Sequence, residues 1–515
     1  MSPVHPILSC AEARALEERL LGADEERTWA AMQRAGAGVG QAVLRDFPQW
    51  RPLPRDPRVL VLAGPGHNGG DALLAALEIL RARPRGRATV VMIELVDKLK
   101  PLTKRAWEEL AAREGVEAVA PEQLFSRVRS GAKWDIALDG LYGMAFRPPL
   151  REPARKIVKV INDAEDAVGF RAAVDVPSGV SETPTDLAFR ADFTYATGIV
   201  KTPLLAAVNA GWTGRIRYVD IGFFEKPYDG ARALEEEWLT EGVLEPLRRL
   251  RPSGGDKRTY GHLLAVSGSR SYPGAQMLNV LGALRAGAGL VTALAPASVA
   301  GAFAAARPEA MWHACAEEAD GGHGAATLAV LKEFWPKATA VLAGSGLGRG
   351  LHTQALVQSL AAECPLPLVL DANALTPEVL AAVAQRPKKA GPVVLTPHAG
   401  EFARIAGKDE DLKTFCLRHK VVTVLKGPLT RICDGKRTWV SGFGGPVLAR
   451  GGSGDVLAGM VGALLAQTPK DAFGAAARAV AWHGLAADAL ACAKGETAAL
   501  TAELTGYLGE ALREG

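Results

Sequence analysis

Short apolar runs that alternate with helical stretches constrain the fold of this chain more than any other feature. In the second half these runs cover residues 262–266, 339–343, 367–370, 392–395 and 421–425, and each ends in a polar or glycine-containing loop. Strands that alternate with helices build a mostly parallel sheet, and the carboxyl ends of parallel strands meet at one edge. The pattern therefore predicts an α/β domain whose polar loops gather at one edge of its sheet.

The stretch at residues 451–459, Gly-Gly-Ser-Gly-Asp-Val-Leu-Ala-Gly, leads into an apolar helix and is a candidate phosphate site. Free N–H groups and the dipole at a helix start favour an anion, and glycines let the backbone approach it. A carboxylate beside a phosphate is repelled unless it has a chemical task, which makes Asp455 a candidate general base. The alternative for an isolated Gly-Asp pair is a helix cap without catalytic role.

Charged side chains that follow the predicted strands supply the other groups that phosphoryl transfer needs. They are Asp371, His398, Glu401 and Lys426. Taken singly, each has a structural alternative in a turn, at a helix start or as a solvated strand end. Mg²⁺ bridging the phosphates is expected, with Glu401 or Asp371 orienting it. The GxxxxGK[ST] pattern is absent from the sequence, so this is not a P-loop protein.

The first half repeats the layout of strand, glycine loop and helix. A strand at residues 58–63 runs into a loop at 64–71, and a helix is predicted over 72–83. The loop satisfies GxGxxG, so a redox dinucleotide site is one interpretation, although Asn68 and Asp71 crowd the turn.

Polar side chains also end the other strands predicted in this half. Because ligands of open α/β sheets lie outside the carboxyl ends of strands, we expect Asn68, Asp71, Asp139, Asp175 and Ser178 to converge on one crevice. Oxygen ligands of this kind suit a hard cation. The alternative for any one strand-end aspartate is a turn cap.

Length and composition indicate two or more domains and disfavour several classes of protein. A chain of 515 residues exceeds one core, and the break in pattern between residues 223 and 244 predicts domains of 1–231 and 232–515. The net charge of +4 without a long basic run disfavours nucleic acid as a partner. The 6 cysteines lack CxxC spacing, so we expect no zinc site, no disulfide scaffold and a reducing cytoplasm. Without a leader-like segment or an apolar run of about 18 residues, we expect neither export nor a membrane span. We also expect a homo-oligomer.

Three motifs of the first half together resemble a known family. They are residues 67–71 (His-Asn-Gly-Gly-Asp), 139–143 (Asp-Gly-Leu-Tyr-Gly) and 175–179 (Asp-Val-Pro-Ser-Gly). Over residues 8–222 the chain resembles the N-terminal, epimerase domain of bifunctional NAD(P)H-hydrate repair enzymes. The resemblance implies a Rossmann-like three-layer fold, and K⁺ held by Asn68, Asp139 and Ser178. It implies hydrate contacts at His67, Asn68, Gly69, Gly70, Asp71, Gly143, Arg147 and Asp175, with Asp175 catalytic. The chain departs from the family pattern at His67, Ala72, Met144 and Ala145.

Motifs of the second half, in order, carry a further resemblance. They lie at residues 257–275, 285–291, 344–348, 396–401, 425–427, 451–459 and 483–488. This half resembles the ribokinase-like dehydratase domain of the same enzymes. The resemblance implies hydrate contacts at Ala275, Gly346, His398 and Asp455. It implies nucleotide contacts at Lys426, Gly427, Pro428, Leu429, Thr430 and Gly454, with Mg²⁺ accompanying ADP. Departures occur at Ser345, Asn373, Ala399 and Ser453.

The two resemblances imply a repair reaction on hydrated NADH and NADPH. Bacterial members use ADP, giving AMP and phosphate, and eukaryotic members use ATP. Asp455 would accept the proton of the hydrate's C6 hydroxyl as that oxygen attacks the terminal phosphoryl group, and phosphate would then leave. The first half would interconvert R and S hydrates, so that both epimers reach the dehydratase site.

Two alternatives from other classes stay open. A vitamin kinase of the ribokinase fold would share the Gly-Asp loop and stop at the phosphate ester. The first half would then be a non-catalytic binding module, a role that related domains have in an mRNA-decapping scaffold.

Overall fold

The computed structural model of the protein describes residues 2–224, 228, 234–407 and 410–513. The chain divides into two compact units, one formed by His5–Leu234 and the other by Met1–Val4 with Glu235–Gly515. The boundary predicted between residues 231 and 232 lies outside the described residues.

The first unit is built on a parallel sheet of seven strands in the order β4-β3-β2-β5-β6-β7-β9. The strands are β1 (Val4–Leu8), β2 (Arg58–Ala63), β3 (Arg87–Met92), β4 (Val116–Val119), β5 (Trp134–Gly140), β6 (Val168–Val174), β7 (Phe193–Thr197), β8 (Val200–Lys201) and β9 (Arg215–Val219). The helices are α1 (Cys10–Leu21), α2 (Glu25–Asp46), α3 (His67–Ala82), α4 (Pro101–Ala111), α5 (Pro121–Arg129), α6 (Ala154–Asp163) and α7 (Ala210–Thr213). Outside the seven-stranded sheet, β1 pairs in parallel with β8.

Alternation along the buried strands gives this unit two cores, one on each face of the sheet. Val59 and Val61 of β2 point into a core shared with α2, α3 and α4. Leu60 and Leu62 point into a core shared with α5 and α6 on the other face. A strand that is apolar on both faces needs helices on both sides. The three-layer fold predicted for the first half is confirmed.

The second unit has a longer sheet that is mostly parallel. Its strands are β10 (Glu237–Leu239), β11 (His262–Val266), β12 (Leu290–Pro296), β13 (Met311–Cys315), β14 (Ala340–Ala343), β15 (Leu368–Leu370), β16 (Val393–Leu395), β17 (Val422–Leu425), β18 (Thr430–Cys433) and β19 (Thr438–Ser441). They lie in the order β13-β12-β11-β14-β15-β16-β17-β18-β19-β10, and only β18 runs antiparallel to its neighbours. The predicted runs at 262–266, 339–343, 367–370, 392–395 and 421–425 correspond to β11, β14, β15, β16 and β17.

Helices cover both faces of this sheet. They are α8 (Glu245–Arg248), α9 (Pro273–Arg285), α10 (Ala297–Ala306), α11 (Thr327–Phe334), α12 (Leu351–Glu363), α13 (Pro377–Val383), α14 (Ala399–Ile405), α15 (Leu412–His419), α16 (Ser453–Gln467), α17 (Ala472–Ala498) and α18 (Thr501–Arg513). Helices α9, α16, α17 and α18 pack on one face and α11 to α15 on the other. The α/β fold with a mostly parallel sheet is confirmed for this half as well.

Backbone contact between α9 and α16 fixes the position of the glycine-rich helix start. A methyl group on Gly459 would lie 2.1 Å from the carbonyl oxygen of Asn279, and one on Gly282 would lie 2.4 Å from that of Val456. Glycine is therefore required on both helices, since any side chain would force them apart. The residues of α16 from Val456 to Ala466 are buried.

Among the residues that the structure describes, no helix combines the length and apolarity needed to cross a membrane.

Candidate functional site

The polar loops of the second unit meet at the carboxyl edge of its sheet, as predicted. Asp371 follows β15 and is buried there with an exposed fraction of 1%. Ser345 Oγ donates to Asp371 Oδ2 at 2.8 Å, and Thr396 Oγ1 donates to Oδ1 at 2.7 Å. The Lys426 ammonium donates to the same Oδ1 at 3.2 Å. Asp371 is therefore the anchor of Lys426, and its role in orienting a metal stays a prediction beside this ion pair.

Glu401 also has a structural partner. Its carboxylate accepts from the backbone N–H of His398 at 2.9 Å, while Nδ1 of His398 accepts from the N–H of Glu401 at 3.2 Å. This reciprocal pair is a capping arrangement at the start of α14. The side chain of His398 still has an exposed fraction of 61%, so its Nε2 face is accessible to a ligand.

Asp455 lies in the first turn of α16, where the chain enters the helix through Gly452 at φ 91°. Burial, followed by the charge of Asp371, raises its pKa to about 6. Lys426 and a hydrogen bond with Ser345 act in the opposite direction. Asn279 fixes the backbone here, because its Nδ2 donates to the Asp455 carbonyl at 2.7 Å. A carboxyl with this pKa is ionised at neutral pH and close enough to it to act as a base.

The nucleotide residues inferred from the sequence adjoin Asp455. A methyl group on Gly454 would lie 3.2 Å from Lys426 Nζ, so the ammonium is beside the helix start. Gly427 and Pro428 are exposed in the turn that joins β17 to β18, and Thr430 begins β18. The Lys426 backbone N–H donates to the Pro397 carbonyl at 2.8 Å, which joins this turn to the loop that carries His398.

Two further predicted hydrate contacts lie side by side. A methyl group on Gly346, which has φ 66°, would lie 2.6 Å from the Ala275 methyl and 3.1 Å from Tyr272 Cβ. Tyr272 lies at the start of α9 and has an exposed fraction of 61%. The loops after β11 and β14 therefore form one surface with Tyr272 at its rim.

Two residues beneath this site had no role in the sequence interpretation. Asn279 of α9 joins the Asp455 carbonyl to Ser345 Oγ, to which its Nδ2 donates at 3.2 Å. Burial lowers the pKa of His483 to about 4, and Lys426 acts in the same direction, so the imidazole is neutral. His483 belongs to the motif at 483–488, but the sequence assigned it no role. No sequence signal identified Asn279, which lies in an ordinary amphipathic helix.

In the first unit, the predicted cation ligands meet around the loop that follows β5. The Ser178 N–H and Oγ each donate to the Asp139 carboxylate at 2.7 Å. Asn68 Nδ2 donates to the Tyr142 carbonyl at 2.9 Å, and a methyl group on Gly143 would lie 3.1 Å from Asn68 Oδ1. Glycine at position 143 thus lets the loop lie close to Asn68, whose Oδ1 and the Tyr142 carbonyl are oxygen atoms near this turn.

Asp139 is the charged member of this group and is fully buried. Burial raises its pKa to about 6, and hydrogen bonds from Ser178 and Leu141 oppose the shift. A single carboxylate with neutral oxygen neighbours is a weak, hard ligand set, which fits a large monovalent cation better than a transition metal. Among the described residues, no group of three or more His, Cys, Asp and Glu side chains is arranged so that it could hold a metal ion.

Asp175 forms a second centre in this unit together with residues that sequence reasoning missed. It has a left-handed backbone at φ 66° and forms a buried ion pair with Lys201. Thr197 Oγ1 donates to Asp175 Oδ1 at 3.3 Å, and Lys201 Nζ donates to the Thr197 carbonyl at 3.0 Å. Lys201 directly follows the apolar run 198–200, and a charged residue at that position is the sequence signal that would have identified it.

The segment 67–71 is helical, so the prediction of a loop to residue 71 and a helix from residue 72 is wrong. Helix α3 begins at His67, because Gly66 serves as its N-cap and the glycines that follow allow close packing. A methyl group on Gly69 would lie 2.1 Å from the Gly64 carbonyl oxygen, and one on Gly70 would lie 2.3 Å from Met32 Cε. Gly69 therefore serves backbone packing, whereas Gly70 makes room for the end of the Met32 side chain.

The remaining predicted residues of this unit are accessible. His67 is exposed, and partial burial and then Lys100 lower its pKa. Arg147 is exposed after the Gly143 loop and has no hydrogen bond or ion pair with another described residue. The Ala72 methyl group packs against Gly140 of the sheet, since a methyl group built on Gly140 would lie 2.5 Å from it. This departure from the family pattern therefore points away from the crevice.

Comparison with known proteins assigns each half separately. A family model described as NAD(P)H-hydrate dehydratase matches residues 263–508, and one described as YjeF-related protein N-terminus matches residues 29–203. The bifunctional NAD(P)H-hydrate repair enzyme of Gloeobacter violaceus is 36% identical, over 94% of this chain and 93% of the relative. That of Thermofilum pendens is 32% identical, over 94% of this chain and 91% of the relative. The crystallised ADP/ATP-dependent NAD(P)H-hydrate dehydratase of Bacillus subtilis is 30% identical over 51% of this chain and 92% of its own, with a TM-score of 0.43.

Proposed function

Since this chain belongs to the family of bifunctional NAD(P)H-hydrate repair enzymes, we propose that it epimerises hydrated NADH and NADPH and dehydrates the S form. The dehydration consumes ADP, giving AMP and phosphate. The observation that carries this proposal is that the Lys426 ammonium lies beside the glycine-rich helix start that holds Asp455, whose pKa is raised to about 6. Phosphate-binding amides, an ammonium and a base are the groups that phosphoryl transfer to a hydroxyl requires.

Asp455 takes the proton of the C6 hydroxyl while that oxygen attacks the terminal phosphoryl group. The Lys426 ammonium and the N–H groups at the start of α16 stabilise the charge that develops on the phosphoryl oxygens. Phosphate then leaves from C6 as the ring nitrogen donates its electron pair, and loss of a C5 proton restores the reduced nicotinamide. Asp371 holds Lys426 in place throughout, at 3.2 Å from its Nζ.

Mg²⁺ accompanies the nucleotide in this proposal and neutralises part of the phosphate charge. Asp371 and Glu401 already have protein partners. We therefore propose that the ion is held mainly by phosphate oxygens and water, a common arrangement for Mg²⁺.

For the first unit we propose hydrate binding over Asp71 and Asp175, with K⁺ held by Asn68, Asp139 and Ser178. Support comes from the oxygen atoms of Asn68 and Tyr142 near Gly143 and from the absence of any soft ligand among Asn68, Asp139 and Ser178. The ion would order the loop after β5, against which the hydrate lies. A cytoplasmic location and a homo-oligomeric state stay predictions.

The test is recovery of reduced nicotinamide by the full chain. A mixture of R and S NADH hydrate is supplied with Mg²⁺ and ADP, then with ATP, and the absorbance of NADH is followed. Full recovery is expected, because the epimerase half converts R hydrate to S. If only the S fraction is recovered, and the R fraction converts no faster than by spontaneous epimerisation, the epimerase assignment is refuted. No recovery with either nucleotide would favour the small-molecule kinase.

A further inference from the structure

Three buried ionisable side chains and one partly buried carboxyl group lie together in the first unit, and only one of the four has so far been given a catalytic role. We call Glu17, Asp71, Asp175 and Lys201 the Lys201 cluster. Lys201 is fully buried, and Asp71 and Asp175 have exposed fractions of 9% and 6%. They come from four separate elements: α1, α3, the turn after β6, and β8.

The cluster has three carboxyl groups for one ammonium. Lys201 forms its ion pair with Asp175 and is also held by the Thr197 carbonyl at 3.0 Å. Asp175 is thereby fixed by two donors, Lys201 and Thr197. Because the single positive charge of Lys201 is paired with Asp175, no further positive charge among the described residues balances Asp71 and Glu17. Because like charges in a buried site cannot all be ionised, the remaining carboxyl groups retain protons.

Asp71 is the member whose carboxyl group has an unsatisfied buried oxygen. Its Oδ1 is buried and has no hydrogen-bond partner among the described residues. Burial, and then the charges of Asp175 and Glu17, raise the pKa of Asp71 well above its usual range. An orphaned buried carboxyl oxygen beside a fixed carboxylate is typical of a group that waits for a ligand. Burial also raises the pKa of Glu17, to about 7.

We infer that Asp71 is the proton donor of the epimerase half, and that Lys201 is a positioning residue that holds the Asp175 carboxylate toward the reacting ring. This inference deepens the proposed function and rests on it. The division of roles follows the general pattern of two neighbouring carboxyl groups, of which one is kept neutral and the other ionised.

The epimerisation step balances without any other reactant. Asp71 gives its proton to the C6 hydroxyl, and the C6–O bond breaks with its electron pair leaving on water. The ring nitrogen supplies the electron pair of a C6–N1 double bond, and the Asp175 carboxylate stabilises the resulting positive charge. Water then adds to C6 from the opposite face and releases its extra proton to solvent, and Asp71 regains a proton from solvent. Nothing is oxidised or reduced, and R hydrate becomes S hydrate.

The test follows conversion of pure R NADH hydrate to S hydrate by chromatography, without nucleotide, in the full chain. Asp71→Asn should lower kcat by about 100-fold or more, since the amide cannot supply the proton. Glu17→Gln should retain most of the activity. Lys201→Met should lower kcat far more than it changes KM. Lys159→Met is the matched control, because Lys159 forms an exposed ion pair with Asp163 at 2.9 Å, and its rate should equal that of the wild type.

A double variant separates positioning from folding. Lys201→Met leaves a buried carboxylate unpaired and should lower the melting temperature, whereas Lys201→Met with Asp175→Asn removes both charges and should restore it. Under our inference the double variant stays inactive in epimerisation although it is stable. Dehydration of S hydrate with ADP reports on the integrity of the other unit in every variant.

Each outcome decides between the proposals. A wild-type chain that does not accelerate conversion above the buffer rate refutes the epimerase function itself. An active wild type with an equally active Asp71→Asn variant overturns the role of Asp71, and a loss in Glu17→Gln as large as in Asp71→Asn assigns the proton to Glu17 instead. Recovery of activity together with stability in the double variant would overturn the roles of both Lys201 and Asp175, and an unchanged kcat in Lys201→Met alone would show that Lys201 is merely structural.

Discussion

At the scale of single residues, the environment of Asp455 sets the pH dependence of dehydration. Its pKa is raised to about 6, first by burial and then by Asp371. A base must be ionised, so we expect kcat/KM for S hydrate at saturating nucleotide to fall as the pH falls through about 6, with a plateau above it. Initial rates of NADH formation between about pH 5 and about pH 8 measure this profile. A flat profile, or one that rises toward acid, would contradict the role of Asp455.

Ser345 tunes that profile through its two carboxyl neighbours. Its hydroxyl donates to Asp371 at 2.8 Å, and its hydrogen bond with Asp455 lowers the pKa of that group. Ser345→Ala should therefore move the acid limb of the profile to higher pH. Thr396→Ala is the matched control, since Thr396 donates to Asp371 at 2.7 Å and leaves the Ser345 contact with Asp455 intact. Equal shifts in both variants would assign the effect to Asp371 alone.

At the scale of elements, the contact between α9 and α16 holds Asp455 at the sheet edge. A methyl group on Gly459 would lie 2.1 Å from a backbone oxygen, so Gly459→Ala should destabilise the protein by about 1 to 3 kcal/mol in urea unfolding. The same substitution at Gly506 of α18 meets nothing within 4 Å and should stabilise by about 0.5 to 1 kcal/mol. Destabilisation of similar size at both positions would show that close helix packing is not the cause.

At the scale of the whole molecule, each unit has its own cores and its own site, so the two activities should be separable. Asp175→Asn should recover only the S fraction of a mixed hydrate, because it lacks epimerisation. Asp455→Asn should recover none while still binding nucleotide in calorimetry. An equimolar mixture of the two variant chains should recover all of the reduced cofactor, since the S hydrate released by one chain is a substrate for the other. Failure of the mixture, with both variants folded, would mean that the hydrate passes directly between sites of one chain.

The sequence by itself determined the architecture and the sheet edge at which the polar side chains gather. Short continuous apolar runs that alternate with helical stretches specify strands buried on both faces, so the parallel sheets and their polar carboxyl edges follow from local pattern. The glycines before Asp455 likewise identify a helix start open to phosphate, because only that local conformation needs them.

Only the tertiary structure decided which charges pair. Asp371 has Lys426 as its partner and Asp175 has Lys201, although 55 and 26 residues separate the partners along the chain. The pairing of Lys201 with Asp175 also leaves Asp71 as a buried carboxyl with an orphaned oxygen. Local pattern carries no information on these partners, because the energy of a buried charge depends on its distance from other charges and on its exclusion from water, which the packed fold alone fixes.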